Sequence, residues 1–280
     1  MADSTLPIFI TWLAWGLLWA SLCFGLGAAR AVTALRVLSL AALACAGYAC
    51  ILALPPWPVW AYALGLPEPT PTYVSAFAPP AIAWGVKLAT IGWSLLVLGF
   101  GWTTAAEAGL RFPLPCTLRA VLPAILLLAL GALVNAYLTR QTARTLWLHE
   151  GVYYATLPGV GEELFYRGIL LGMLGRVFPR TIPLPGTRTS WGGIVSVLLF
   201  TLAHFLPFPT HFMYWVHSPV FGRYLASWLL SARFFPGESA YVLVMSTFFL
   251  WVRERTGSCW AAVATHCLMN GCLAIGSHFA

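Results

Sequence analysis

An ionisable side chain inside an apolar stretch long enough to cross a bilayer is expensive to place there, and by default it marks a functional site. The densest such group is Gly161-Glu162-Glu163-Leu164-Phe165-Tyr166-Arg167-Gly168, which is apolar on both flanks. Glu163 and Arg167 stand four residues apart, so in a helix they share a face and can pair. Glu162 points roughly 100° away from that face and is left without Arg167 as a partner. A neighbouring cation favours the ionised carboxylate and burial opposes it, so the two acids should differ in proton affinity. That difference suits the unpaired acid to take a proton from water. A purely structural ion pair accounts for Glu163 and Arg167 but leaves Glu162 unexplained.

Two further groups can reach the same chemistry. Phe200-Thr201-Leu202-Ala203-His204 closes a later apolar stretch, and taken alone His204 reads as interfacial or structural. His266-Cys267-Leu268-Met269-Asn270 lies within the last stretch and again places two polar groups four apart. Such a pair can hold helices together or can donate to a developing oxyanion. His211, Tyr214 and His217 lie in a segment of mixed character and read as interfacial. His149-Glu150 is followed by Gly-Val-Tyr rather than by the second histidine of a zinc-protease helix. The seven cysteines show no metal spacing and fit the role of small buried apolar residues.

The elements that must position these residues follow from composition. Of 280 residues, 60% are hydrophobic and 8% charged, against about 25% charged in a soluble globular chain. A soluble enzyme, a disordered chain and a disulfide-stapled secreted domain are excluded. The sequence predicts an all-α, polytopic transmembrane helical bundle of about eight spans, each near the ~20 apolar residues a crossing requires. The spans are expected over about Pro7–Ala29, Val37–Leu54, Ala81–Ala105 (which contains Lys87), Ala120–Leu138, Tyr154–Leu174, Trp191–Phe205, Ser239–Val252 and Ser258–Ser277. Residues 206–238 are ambiguous, with room for a short or re-entrant helix. The uncharged run from Ser4 is too long for a signal-peptide core and reads as a retained first span.

The net charge is +7, with cations scattered singly or in short pairs. They therefore read as loop and interface anchors rather than as a nucleic-acid face. With the N-terminus outside, the inner loops hold Arg30, Arg36, Arg111, Arg119, Arg176, Arg180, Arg188, Arg253 and Arg255; the outer loops hold only Arg140, Arg144, Arg223 and Arg233. Nine against four favours both termini outside. In that topology Glu162, His204, His266 and Asn270 fall towards one side of the membrane and can form one site.

The patterns EExxxR, FxxxH and HxxxN, in this order on three late membrane helices, resemble the signature of the CPBP family of intramembrane proteases. That family includes the type II CAAX prenyl endopeptidases and the bacterial Abi-type proteins. The run Arg253-Glu254-Arg255-Thr256-Gly257-Ser258 into Asn270 is similar to the family's connection into its last motif helix. The resemblance covers about residues 150–275. It implies a glutamic endopeptidase with no cofactor and no metal. Glu162 would then activate a water, His204 would position or deprotonate it, and His266 with Asn270 would hold the oxyanion. Glu163, Arg167 and Phe200 would support the site. The expected organisation is residues 1–145 as N-terminal membrane helices of unassigned role and 146–280 as the catalytic core.

The implied partners are a membrane-anchored or lipidated protein or peptide substrate and the lipid bilayer, with no nucleic acid. The expected location is a multi-pass protein of a bacterial inner membrane. Two other readings remain open on the residues alone. Glu162, His204 and His266 have the ligand types of a zinc centre, although Arg167 disfavours a cation there. The Glu pair could also serve a transporter as a proton relay, although the polar residues crowd into one half where a transporter would show matching halves. The orientation is testable. With both termini outside, Gly186→Cys should be shielded from membrane-impermeant thiol reagents in intact cells while Pro69→Cys is labelled, and the reverse pattern would invert the topology.

Overall fold

The computed structural model describes residues 31–52, 80–139, 148–205 and 237–278. The expected first span and the stretch carrying His211, Tyr214 and His217 lie outside the described residues. The chain forms helices α1 (Ala31–Leu52), α2 (Pro80–Gly99), α3 (Pro115–Thr139) and α4 (Leu148–Glu163), and α4 runs on without a break into a π-helical segment (Leu164–Leu170). Next come α5 (Leu171–Leu174), a hairpin of β1 (Ile182–Leu184) and β2 (Thr187–Thr189), and then α6 (Trp191–Phe205), α7 (Gly237–Thr256) and α8 (Cys259–His278). The all-α architecture agrees with the sequence pattern, and each expected span that falls among the described residues is met by a helix, with shifted ends.

The bundle buries charged groups within an apolar core and exposes large apolar side chains. Glu163 and Arg167 are fully buried, whereas Leu127 and Leu138 on α3 are each 71% exposed. That inversion requires a hydrocarbon surround. By length and composition, Thr33–Ile51, Pro115–Leu138 and Cys259–Gly276 can cross a membrane, with shorter apolar helices at Gly85–Gly99 and Trp191–His204. α8 packs mainly against α4 and α3. A Cβ on Gly159 would come within 2.6 Å of the Cys267 Sγ, and one on Gly276 within 2.5 Å of the Leu133 carbonyl oxygen. Small residues at helix crossings are how membrane helices approach closely enough to gain packing energy.

Two local features were not anticipated. α2 stops at Gly99 instead of continuing to Ala105. Gly101 has φ 69°, Trp102 N–H donates to the Val97 carbonyl at 3.2 Å and Gly101 N–H to that of Leu98 at 2.9 Å. These two bonds are the Schellman termination that glycine favours. The hairpin was also missed: Ile182 pairs with Thr189 and Leu184 with Thr187, and Pro185-Gly186 supplies the sequence of a type II turn. Its strands are three residues each, too short for an alternation signal.

The hairpin, the α2–α3 loop and the α7–α8 turn meet at one end of the bundle, with most of the cations among the described residues. Arg111 Nε donates to the Gly257 carbonyl at 3.1 Å, and Arg255 donates to that of Gly186. Arg180 pairs with Glu254 at 3.0 Å, and Arg176 donates through Nε to Glu107 at 2.7 Å. A Cβ on Gly186 would lie 2.7 Å from the Arg255 guanidinium carbon. The exposed Arg188 is therefore the better position for a thiol that reports on this end.

The Arg176 hydrogen bond, with help from the Thr104 amide and hydroxyl, holds the Glu107 carboxyl down at about 2. A carboxyl lowered in the folded state adds stability above its unfolded value, and this is lost as pH falls through the folded one. Wild type should therefore lose melting temperature between about pH 4.5 and 2 by more than Arg176→Met does. Identical pH dependence of the two proteins in detergent would show that the contact contributes nothing.

Candidate active site

The helical run from Leu148 to Leu174 carries the acidic motif at its centre rather than near its start, as the shorter expected span would have had it. Every residue from Leu164 to Leu170 is buried. A π-helical turn breaks the regular ladder, and it recurs at functional sites because it redirects side chains. Here carbonyls of that stretch and of the residue just before it find partners on three other helices. Ser196 Oγ donates to Tyr166 at 2.8 Å, Arg253 Nε to Arg167 at 3.2 Å and Cys259 Sγ to Glu163 at 3.4 Å. Buried backbone groups need such partners, and the surrounding helices thus hold the irregular turn in place.

The two carboxylates are compensated separately. Glu163 Oε2 lies 3.2 Å from Arg167 Nε, both side chains being fully buried, and Glu163 Oε1 takes a hydrogen bond from His266 Nδ1 at 2.8 Å. Arg167 in turn donates through Nη2 to the Ser246 hydroxyl at 2.6 Å and to the Ser246 carbonyl at 2.7 Å. Its guanidinium carbon sits 4.4 Å from the centre of the Phe200 ring, within cation–π range. Phe249 stacks on His266 with ring centres 4.5 Å apart. The expected Glu163–Arg167 pair is present. His266, expected to stand with Asn270, is engaged by Glu163 as well.

Glu162 is not without a partner. Lys87 on α2 forms an ion pair with Glu162 Oε1. The other oxygen, Oε2, is buried and accepts no hydrogen bond among the described residues. It lies 3.7 Å from His204 Nε2, while His204 Nδ1 is bonded to the Phe200 carbonyl at 2.9 Å. Phe200 therefore serves twice, through its ring against Arg167 and through its carbonyl on His204. Asn270 is half-buried, one helical turn beyond His266. Glu162, Glu163, Arg167, Phe200, His204 and His266 are thus brought into one cluster, with Asn270 on the same helix as His266.

Lys87 and Ser246 were not selected from the sequence. A signal for Lys87 existed: it is the sole lysine of the chain, it sits in an apolar span, and an intramembrane cation needs an anion. Ser246 carried no signal, because one serine in an apolar helix has no spacing to read. Among the described residues no three His, Cys, Asp or Glu side chains stand together as a metal-binding group. The Lys87 ammonium engages Oε1 of Glu162, and Oε2 is the oxygen that faces His204.

The site is thus a buried carboxylate pair inside an apolar helical bundle, one oxygen of which faces an imidazole. The family model described as type II CAAX prenyl endopeptidase Rce1-like matches residues 145–272. A domain of the CAAX-type intramembrane endopeptidases therefore occupies that segment of an integral membrane protein, which contains every motif residue from Glu162 to Asn270. No curated protein and no solved structure matches the chain.

Glu163 is the hinge of this charge network. Glu163→Gln leaves Arg167 and His266 without their counter-charge, and removing one member of a buried pair costs about 3–5 kcal/mol. A marked fall in melting temperature of the purified variant in detergent is expected; an unchanged one would show that Ser246 and the Phe200 ring suffice for Arg167.

Proposed function

We propose that the protein is a glutamic intramembrane endopeptidase that cleaves near the C-terminus or membrane anchor of a lipidated or membrane-anchored protein. The observation that carries this reading is the open Oε2 of Glu162 at 3.7 Å from His204 Nε2. That separation is too long for a direct hydrogen bond and invites a water between the two. His204 spends its Nδ1 proton on the Phe200 carbonyl, so the neutral ring presents Nε2 as an acceptor. A water held there donates one O–H to each acceptor, and its lone pair stays free for a carbonyl carbon.

The reaction then follows in two steps. As the water oxygen bonds to the carbonyl carbon, its proton passes to Glu162 Oε2 and the carbonyl oxygen becomes an oxyanion. Collapse breaks the C–N bond, and Glu162 returns the proton to the leaving amine. His266 and Asn270 stabilise the oxyanion. Because Nδ1–H of His266 donates to Glu163, Nε2 becomes a donor only in the imidazolium, for which Glu163 is the adjacent counter-ion. Glu163 and Arg167 thus set the orientation of His266.

The domain division follows the same reading: residues 146–280 form the catalytic core and 1–145 the additional helices. The cation-rich end is cytoplasmic by the positive-inside rule, in a multi-pass protein of a bacterial inner membrane. A substrate bearing a prenylated C-terminus suits the family description of residues 145–272 and an active centre reached from lipid.

Glu162→Gln removes the base at nearly constant shape. Peptide cleavage in detergent should fall by about 10²–10⁴-fold with the fold intact, and membrane proteins of cells carrying this variant should keep C-termini that wild type trims. Asn270→Ala should lower kcat by roughly 10²–10³-fold with little change in KM, as loss of one oxyanion donor does. Cleavage by Glu162→Gln within about tenfold of wild type would overturn the assignment.

A further inference from the structure

We propose that Lys87, on a helix outside the matched segment, is the positioning residue of the catalytic carboxylate. Its ammonium engages Oε1 of Glu162, which fixes the carboxylate as an anion and leaves Oε2 as the oxygen that faces His204. The inference rests on the reading of Glu162 as the base and extends that site into the N-terminal half of the chain.

Three features of the structure place Lys87 there. α2 packs against α4 and the π-helical segment, and Gly161 is the close point of that crossing. A Cβ on Gly161 would sit 3.1 Å from Thr90 Oγ1 and 3.7 Å from the Lys87 carbonyl oxygen, so the absence of a side chain lets α2 come near enough for Lys87 to reach Glu162. Thr90 is itself tied back to the Lys87 carbonyl at 2.8 Å, and Ser94 to that of Thr90 at 3.0 Å. These polar groups of α2 are satisfied within the helix, and the one that leaves it to contact the acidic motif is the ammonium. Finally, Arg167 is spent on Glu163 and Ser246. Among the described residues the cation on Glu162 is Lys87.

The chemistry requires such a group. A carboxylate that is desolvated without a counter-charge gives up its ionisation, and a protonated Glu162 cannot accept from water. One oxygen held by an ammonium and the other left open keeps the anion and gives the proton a single destination. An ammonium does this as a compact point charge on one oxygen.

Lys87→Met, Lys87→Arg and Glu162→Gln, assayed together on one membrane peptide substrate, test the proposal. Lys87→Met should lower kcat by about 10²-fold, the lower bound for losing the base, with KM within about threefold because the substrate contact is untouched. Lys87→Arg should recover at least tenfold of that loss, since the cation is kept. Melting temperatures add a readout independent of turnover. If Lys87 acts through the Glu162 charge, Lys87→Met should destabilise the protein, and adding Glu162→Gln should restore it, because no unpaired charge then remains. Lys87→Met with wild-type kcat, a loss in KM alone, equal losses in the Met and Arg variants, or a double variant no more stable than Lys87→Met would each overturn the proposal. An active Glu162→Gln would instead remove the assignment of the base on which it rests.

Discussion

Two adjacent acidic side chains lie buried inside an apolar bundle, and the rest of the centre is arranged around them. Desolvating each anion costs several kcal/mol even after relaxation, and two neighbours also repel each other. Consecutive residues of a helix point in different directions, so one cation cannot serve both. Glu163 is met by Arg167 and His266, and Glu162 by Lys87 with His204 beyond it. In the proposed reading Glu163, ion-paired with Arg167 through one oxygen and hydrogen-bonded to His266 through the other, is structural. Glu162, with one oxygen open, keeps the capacity to accept a proton. The division of labour between two identical side chains comes from what surrounds them.

The π-helical segment belongs to the same solution. Its wider turn carries Arg167 below Glu163 while turning Tyr166 against Phe200, with ring centres 5.3 Å apart, and Phe165 onto Tyr48 at 4.0 Å. An irregular helix in hydrocarbon is tolerated only where its backbone groups are satisfied by protein. Ser196 and Arg253 donate to two of its carbonyls, and Cys259 to that of Glu163 just before it. Arg253 is part of the turn at the cation-rich end, where it also donates to the Glu107 carbonyl at 3.1 Å. The loop architecture at that end therefore helps hold the shape of the helix that bears the site.

Much of this was legible in the sequence for a physical reason. Apolar runs near bilayer length announce helices whatever packs on them, which is why α6 falls at Trp191–Phe205 as expected. Charges in those runs announce the site, since hydrocarbon makes every one of them costly. Spacing of four gave the Glu163–Arg167 pair because it is a contact within one helix. Contacts between helices were not legible: neither His266 on Glu163 nor Lys87 on Glu162, 103 and 75 residues apart, has any local signature. The π-helical register escaped for the same reason, because its donors lie on α6, α7 and α8. The resemblance to intramembrane proteases, now supported over residues 145–272 by the family match, supplied the grouping of the motifs that spacing alone could not.

The charges that meet in this centre come from different helices, and this bears on how the bundle assembles. Lys87 rides on α2, the Glu pair and Arg167 on the α4 run, His204 on α6 and His266 on α8. Each helix enters the membrane with a polar group that its own residues satisfy only in part; the Glu163–Arg167 pair is the exception. In lipid there is no hydrophobic gain from bringing helices together, so packing and interhelical hydrogen bonds must drive association. The least stable isolated helix is therefore the one with most to gain: the α4 run, whose Glu162 finds its cation only on α2. In the proposed reading, packing of α2 against the α4 run and completion of the site are then a single event, because the same ion pair accomplishes both.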